Sequence, residues 1–209
     1  MDVHKAVITR RTVRRFLSKP VSHNVVCNIL GAACYAPSSG NLQNWRIIVV
    51  MDAQKRHDIA CVCLEQMWMT TAPVQIVVCN NTVDIERFYG KRGKEVYSIE
   101  NCAAFIQNVL LLATENGLGS AWVGGFDRHL LQRILKIPDE AVPVAVICIG
   151  YAAEEPQSER VALEKVCFFD EWGNASAGFG VFPLEKQFKR LEEKSRNASS
   201  RLKSIFSKK

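Results

Sequence analysis

The stretch "EVYSIENCAAFIQNVLLLATEN" (residues 95–116) is apolar over much of the circumference of a helix, and it decides the fold. A helix with this pattern lies in the interior of a protein rather than on its surface. Gly117 follows directly, and glycine is typical of the position just beyond a helix C-terminus. The sequence therefore predicts a central buried helix over 95–116.

Strands and further helices are predicted on both sides of this helix. Three apolar runs have the length of buried strands: "WRIIVVM" (45–51), "VQIVVC" (74–79) and "VPVAVICIGY" (142–151). Helices are predicted over 2–9, after a Ser22 N-cap, over 53–69 and in "DRHLLQRILKI" (127–137). This mixture, without an internal repeat, indicates an α/β or α+β domain.

Composition indicates a globular cytoplasmic protein. The chain has 209 residues, of which 48% are hydrophobic, enough for one domain with a sizeable core. No apolar run reaches the roughly 18 residues that cross a bilayer, and the N-terminus lacks a signal-peptide pattern. The eight cysteines are therefore expected to be reduced thiols. Cys61 and Cys63 lack the spacing of a metal site, so we expect no metal.

The net charge of +6 comes from the C-terminal segment. Residues 185–209 hold nine Lys and Arg against three Glu, so the preceding residues are neutral overall. This distribution argues against nucleic-acid binding by the domain. We expect the domain over 1–172 and a basic extension over 173–209. The extension carries helix-spaced apolar residues that could contact an anionic membrane or an acidic partner, although a solvated terminus is the preferred interpretation.

Two short stretches carry the functional signal. "RRTVRRF" (10–16) places four arginines in seven positions, and their mutual repulsion must be offset by water or an anion. Arginine matches phosphate with a planar fork of donors. "APSSGNLQNW" (36–45) contains a loop of small polar residues that can hydrogen bond a ligand. The alternative for the first stretch is a solvated basic turn, and the sequence has neither a P-loop nor G-x-G-x-x-G.

Together with "YSIENCAAFIQNVLLLATENGLGSAWVGGF" and "CIGY…ERVALEKV", these stretches make residues 4–172 resemble the nitroreductase family of FMN-dependent oxidoreductases. The resemblance implies an α+β fold, a three-layer α/β/α sandwich with a central, mostly antiparallel sheet. It also implies an intertwined homodimer with FMN at the interface. Two matches are imperfect: Asn44 stands where the family usually has proline, and Glu100–Asn101 matches only loosely.

The resemblance assigns FMN contacts residue by residue. The phosphate and the polar edge of the flavin would contact Arg10, Arg11, Thr12 and Arg14, and Arg160 would return to the phosphate. The partner subunit would supply Ser38, Ser39, Asn41 and Gln43. Gln66 would contact the isoalloxazine edge, and the backbone of Gly124 and Gly125 would approach the flavin N5 side, since glycine permits close approach.

The implied activity is hydride transfer from NADH or NADPH, through the flavin, to a nitroaromatic, quinone or similar acceptor, in ping-pong fashion. No catalytic side chain is expected, and the four histidines are assigned to the surface. Two alternatives stay open. One is a specialised flavin reaction on the same fold, such as dehalogenation or flavin fragmentation. The other is a non-enzymatic scaffold that acts through its basic extension.

Overall fold

The structure is a computed structural model that describes residues 2–174. The chain divides into two compact units, residues 1–158 and 159–209. The first unit contains, in chain order, α1 (Val3–Thr9), α2 (His23–Ala33), β1 (Trp45–Val50), α3 (Ala53–Val62), β2 (Val74–Asn81), α4 (Val83–Arg92), α5 (Ser98–Glu115), β3 (Gly119–Val123), α6 (Arg128–Leu135) and β4 (Ala141–Gly150).

The four strands form one sheet in the order β1-β2-β4-β3, and all three pairings are antiparallel. Purely antiparallel pairing identifies the class as α+β, which confirms the fold class implied by the resemblance. The register of β2 against β4 shifts between Val78 and Cys79, where β2 faces Pro143. A proline cannot donate to the ladder, and such positions favour a bulge.

Helices cover both faces of the sheet, which gives the three layers. On one face, α2 and α5 pack on β-strand side chains that include Ile76 and Ile147, and Trp45 stacks on Phe105 with ring centroids 5.3 Å apart. On the other face, α3 and α6 contribute Ile59 and Leu131 to a second core. The sheet is therefore buried on both sides, in agreement with the continuous apolar runs of β2 and β4.

The predicted central helix is α5, and its C-terminus is closed as the sequence indicates. Gly117 adopts a φ of 70°. Its N–H donates to Thr114 O (3.0 Å), while the N–H of Leu118 donates to Ala113 O (2.9 Å). These two bonds form a Schellman motif, in which glycine satisfies the last carbonyls of the helix.

The helical run Val83–Glu115 is long and apolar enough, by length and composition, to cross a membrane. It is not a continuous apolar run, because polar residues such as Glu100 and Asn101 interrupt it. Within this run, α5 buries Phe105, Ile106 and Val109 against the sheet. Burial of this kind is what the core helix of a globular domain shows.

One helical prediction was confirmed at its N-cap, one helix was predicted too long, and one helix was not predicted. Ser22 is the N-cap of α2, accepting from the Val25 N–H at 3.4 Å, as predicted. The helix predicted over 53–69, however, ends at Val62, because Leu64 and Glu65 adopt φ values of 57° and 54° that close it. A 3-10 turn follows at Met67–Thr71. Helix α4 was not predicted, and its composition is mostly polar.

In the second unit, the described residues 159–174 hold a 3-10 turn at Leu163–Lys165 and a contact between the rings of Phe168 and Trp172. The basic segment 185–209 lies outside the described residues. The division into 1–172 and 173–209 stays a prediction.

Candidate functional site

The arginine-rich stretch is an extended arm anchored next to the edge strand of the sheet. Thr12 bridges Ser120 of β3, and the Val13 N–H donates to Ser120 O at 2.9 Å. Phe16 forms a second bridge with Ala152, just after β4. Val13 and Phe16 are buried in the core that faces α3 and α6. Burial of these two apolar side chains fixes the arm and leaves its arginines near the surface.

The four arginines have different surroundings. One Nη of Arg11 donates to the carbonyls of Ile8 (2.7 Å) and Arg10 (2.8 Å). The Arg14 guanidinium lies over the Trp68 ring, 5.9 Å from its centroid. Arg10 and Arg11 line a cavity of about 420 Å³ together with Thr114, the 117–119 turn, Glu154 and Glu155. The arm therefore presents positive charge to a cavity through Arg10 and Arg11, and beside Trp68 through Arg14.

The Glu154 carboxylate holds the arm by accepting hydrogen bonds from the arm's backbone. This residue was not predicted from the sequence. Oε1 accepts the N–H of Arg14 (2.6 Å) and of Arg15 (3.1 Å), while Oε2 accepts from Arg15 Nε at 3.2 Å. The hydrogen bond from the Arg14 backbone N–H, followed by the bonds from Arg15, keeps the pKa of Glu154 below its usual value. Part of the arginine charge is thus offset by a carboxylate of the same chain. The local sequence of Glu154 shows only an acidic residue shortly after a strand.

The glycine pair and Gln66 lie around one loop. The Asp127 N–H donates to Val62 O at 2.8 Å, which joins the segment after β3 to the end of α3. A Cβ on Gly125 would lie 3.0 Å from Leu64 Cδ1. Gly124, in contrast, has open space where a Cβ would point, and it lines a cavity of about 430 Å³. Gln66 is half-buried and donates to Cys63 O at 2.9 Å.

The Ser-Ser-Gly-Asn loop is held by its own hydrogen bonds and by α5. Ser38 Oγ accepts from the Gln43 N–H (3.1 Å), and Gln43 Nε2 donates to Asn41 O (3.2 Å). The Ser39 N–H donates to Asn101 Oδ1 in the first turn of α5 (2.9 Å). Gly40 has a φ of 57°, and a Cβ there would lie 2.6 Å from Tyr89 Oη. Glycine is required at position 40 on both grounds.

Residues of the arm and of the Ser-Ser-Gly-Asn loop form two separate groups in a single chain, and Gly124 lines a cavity of its own. Thr114 lines the arginine cavity, and Asn101 holds the loop, thirteen residues earlier on α5. At 1.5 Å per residue, the two groups are about 20 Å apart along the helix axis. Arg160 belongs to the second unit, where its Nη1 donates to Glu159 O at 3.0 Å.

The histidines lie at the surface, and four of the eight cysteines are buried. His4, His23, His57 and His129 are all exposed, as predicted. None of the eight cysteines, all of which lie in the described residues, forms a disulfide. Burial raises the pKa of Cys63 and Cys102 to about 12 and that of Cys79 to about 11. These thiols stay protonated at neutral pH and are therefore poor nucleophiles.

Comparisons with known proteins identify the family of the chain. A family model described as "Nitroreductase family" matches residues 7–69 and 62–151. A protein of Methanothermobacter thermautotrophicus, named for NADH dehydrogenase or NAD(P)H nitroreductase activity, is 33% identical over 175 residues, 79% of this chain and 88% of that protein. The 5,6-dimethylbenzimidazole synthase of Rhodospirillum rubrum is 29% identical over 180 residues, 74% of this chain and 85% of that protein.

Among solved structures, NADPH:FMN oxidoreductase from Vibrio harveyi in complex with NAD+ has the same fold. Its TM-score is 0.74 at 21% identity, over 81% of this chain and 77% of that one. The family match covers both the arm and the Ser-Ser-Gly-Asn loop, the two stretches that carried the resemblance. The chain therefore belongs to the nitroreductase family.

Proposed function

We propose that the protein is an FMN-dependent oxidoreductase that uses NADH or NADPH to reduce nitroaromatic, quinone or similar acceptors. The observation that carries the proposal is the arginine arm, fixed next to β3, in a chain that belongs to the nitroreductase family. The name of the Vibrio harveyi relative, an NADPH:FMN oxidoreductase, supports the choice of cofactor and donor.

The residues present fit an FMN phosphate and ring. Arg10 and Arg11 line an open cavity, and arginine pairs bind phosphate through several charged hydrogen bonds. The open space at Gly124 lets a planar ring approach the backbone without meeting a side chain. Thr12 is half-buried and Arg14 exposed on the same arm, where they would contact the polar edge of the cofactor.

Bound FMN would supply the hydride-transfer chemistry, from NAD(P)H to the acceptor in two successive half-reactions at one site. The protein's part is to bind, orient and supply charge. Arginine charge and backbone N–H groups near the polar edge of the ring would favour the uptake of electrons, because they stabilise negative charge where it develops. No acid or base side chain is assigned to this step.

We also propose that the active form is a homodimer in which the loop of one chain completes the site of the other. The roughly 20 Å between the loop and the arginine cavity, measured along α5, supports this arrangement. So does the apolar surface left open on one chain: Val3, Ile99 and Trp122 are 76%, 51% and 42% exposed. Burial of such side chains at a subunit interface removes apolar area from water.

The absorption spectrum of the purified protein is the primary test. We expect a yellow protein with bound FMN that oxidises NADH or NADPH in the presence of a nitroaromatic or quinone. Double-reciprocal plots at several acceptor concentrations should be parallel, as in ping-pong kinetics. Colourless protein that takes up no added FMN would refute the proposal.

A second candidate is a flavin-fragmenting reaction, favoured by the similarity to 5,6-dimethylbenzimidazole synthase. Incubation with reduced FMN and oxygen, followed by identification of the products, separates the two functions. Formation of a benzimidazole would favour the second candidate, and intact FMN the first.

The cytoplasmic location also stays a proposal, supported by eight cysteines without a disulfide. Deletion of 185–209, which lie outside the described residues, should leave flavin reduction intact. Liposome binding that disappears with this deletion would support membrane contact by the basic extension.

A further inference from the structure

A buried hydrogen-bond chain lies beneath the Ser-Ser-Gly-Asn loop. It consists of Asn44, Asn80, Ser98 and Asn101, none of which is more than 4% exposed. Asn44 directly precedes β1, Asn80 lies near the end of β2, and the other two lie in the first turn of α5. Burial of so many polar groups is costly unless every one is hydrogen bonded. The chain must therefore have a defined arrangement.

The direction of every bond in this chain is fixed by backbone groups at its ends. The Ser39 N–H can only donate, so the atom of Asn101 that faces it is Oδ1 (2.9 Å). Asn101 Nδ2 then donates to Asn44 Oδ1 at 2.7 Å. Asn44 Nδ2 in turn donates to the Ser98 carbonyl (3.0 Å), which can only accept. No side-chain amide in this series of hydrogen bonds can be flipped without placing two donors or two acceptors together.

The chain continues to the segment before α5. Asn44 Nδ2 also donates to Asn80 Oδ1 (2.8 Å), Asn80 Nδ2 donates to Ser98 Oγ (2.7 Å), and Ser98 Oγ donates to Lys94 O. The loop is thus joined, by bonds of one polarity, to β2 and to the π-helical turn Gly93–Tyr97. Cooperative networks of this kind are rigid when fully satisfied.

Among the hydrogen bonds of residues 2–174, the Ser-Ser-Gly-Asn loop contacts the buried hydrogen-bond chain through Ser39 only. Ser39 donates to Asn101 Oδ1 through its N–H and also through its hydroxyl, at 3.3 Å. Asn44 is the next member, and it stands where the family resemblance has proline, which has no side-chain amide. The connection from the loop through Asn44 to the core is therefore a property of this sequence rather than of the motif.

We propose that Asn101, supported by Asn44, is a positioning residue that holds the loop in the conformation in which Ser38, Ser39 and Asn41 bind the flavin. The inference rests on the proposed function, because it assigns a role in FMN binding. Asn101 does not contact the cofactor itself; it acts through Ser39. Without it, the loop must be ordered at the moment of binding, which lowers affinity.

Asn101→Ala and Asn80→Ala distinguish positioning from stability. Both variants lose buried hydrogen bonds and should lower Tm, but only Asn101→Ala removes the contact with the loop. We expect the FMN Kd, measured by flavin fluorescence on the full chain, to rise about tenfold for Asn101→Ala, which is ~1.4 kcal/mol. The Kd of Asn80→Ala should rise less than that of Asn101→Ala, because Asn101 keeps its bond to Ser39 and Asn44 keeps its bond to the Ser98 carbonyl.

A further pair of variants, on the loop side, leaves the side chains of the buried hydrogen-bond chain unchanged. Ser39→Pro removes the backbone N–H that donates to Asn101. Residue 39 is the first position of the 3-10 turn Ser39–Asn41, where proline fits. Ser39→Pro should bind FMN more weakly than Ser39→Ala, which removes only the hydroxyl.

The outcomes separate this inference from the proposed function. Wild-type protein that binds FMN, with an unchanged Kd in Asn101→Ala, overturns the positioning role and leaves the function standing. An equal rise in Asn80→Ala and Asn101→Ala also overturns it, because a loss of stability then explains both. Wild-type protein that binds no FMN overturns the two together.

Discussion

Replacement of Gly124 by alanine tests the proposed contact between this backbone and the flavin. In the structure no heavy atom lies within 4 Å of the position that a Cβ would take, and Gly124 is not among the residues with positive φ. The substitution therefore meets neither a clash nor backbone strain. Because alanine restricts the unfolded chain more than glycine does, Gly124→Ala should leave the free energy of unfolding unchanged or raise it by about 0.4–1 kcal/mol.

The same methyl group would occupy space next to a bound flavin. An extra methyl in a close-packed contact costs about 1–3 kcal/mol, which corresponds to a rise in the FMN Kd of roughly 5- to 150-fold. Fluorescence titration gives the Kd, and urea unfolding of the FMN-free protein gives the stability. Gly31→Ala is the matched control, because Gly31 also has no atom within 4 Å and lies on α2. A Kd for Gly124→Ala equal to that of the control would refute the assignment of Gly124 to the flavin site.

Three other perturbations test the arm and the loop. Arg10→Ala and Arg14→Ala should each weaken FMN binding by about 1.5–3 kcal/mol, which is the value of a hydrogen bond to a charged group. The control Arg46→Ala, on β1, should leave the affinity unchanged. Equal affinities in all three variants would contradict the phosphate assignment. Because the hydrogen bonds from the Arg14 and Arg15 backbone lower the folded-state pKa of Glu154, its anchoring of the arm is complete at neutral pH. It is lost only as the pH falls through that lowered pKa. Glu154→Gln should therefore lower Tm at pH 7 and weaken its decline on acidification, while Glu155→Gln, which alters the same cavity, should behave as wild type. Gly40→Ala should destabilise the protein by about 1–2 kcal/mol through the left-handed conformation alone, as measured by urea unfolding against Gly31→Ala.

Local sequence patterns predicted the elements whose stability is local. The strand over 45–51, the buried helix that became α5 and the Ser22 cap each depend on residues close together in the chain, and all are present. The helix over 53–69 was predicted too long. Its termination depends on two non-glycine residues, Leu64 and Glu65, in a left-handed conformation that composition does not reveal. The surrounding packing, including the bond from Asp127 to Val62, determines that turn.

Long-range contacts could not be predicted in the same way. Glu154 is 140 positions from Arg14, and no spacing rule connects a carboxylate after the last strand with an arm between α1 and α2. The buried asparagines are also far apart in sequence, since 57 positions separate Asn44 from Asn101, and each alone is typical of a loop or a turn. In the sequence, Asn44 and Asn101 stand out only as departures from a family pattern. Their contact explains both departures with one structural feature, the chain from Ser39 to the core.

The four arginines of the arm have different partners, which explains why such a cluster is compatible with a stable fold. Two arginines face a cavity that could hold a dianion, while Arg14 lies over an aromatic ring and Arg15 pairs with Glu154. If all four had faced one cavity, the arm would have depended on its ligand to offset the charge. Because Glu154 accepts from the backbone of the arm, its contribution does not require a ligand. The arm should therefore be in place before FMN binds, and hydrogen exchange at the Arg14 and Arg15 amides should be slow in the FMN-free protein. Fast exchange there, with protection appearing only after FMN is added, would show that the ligand, and not Glu154, orders the arm.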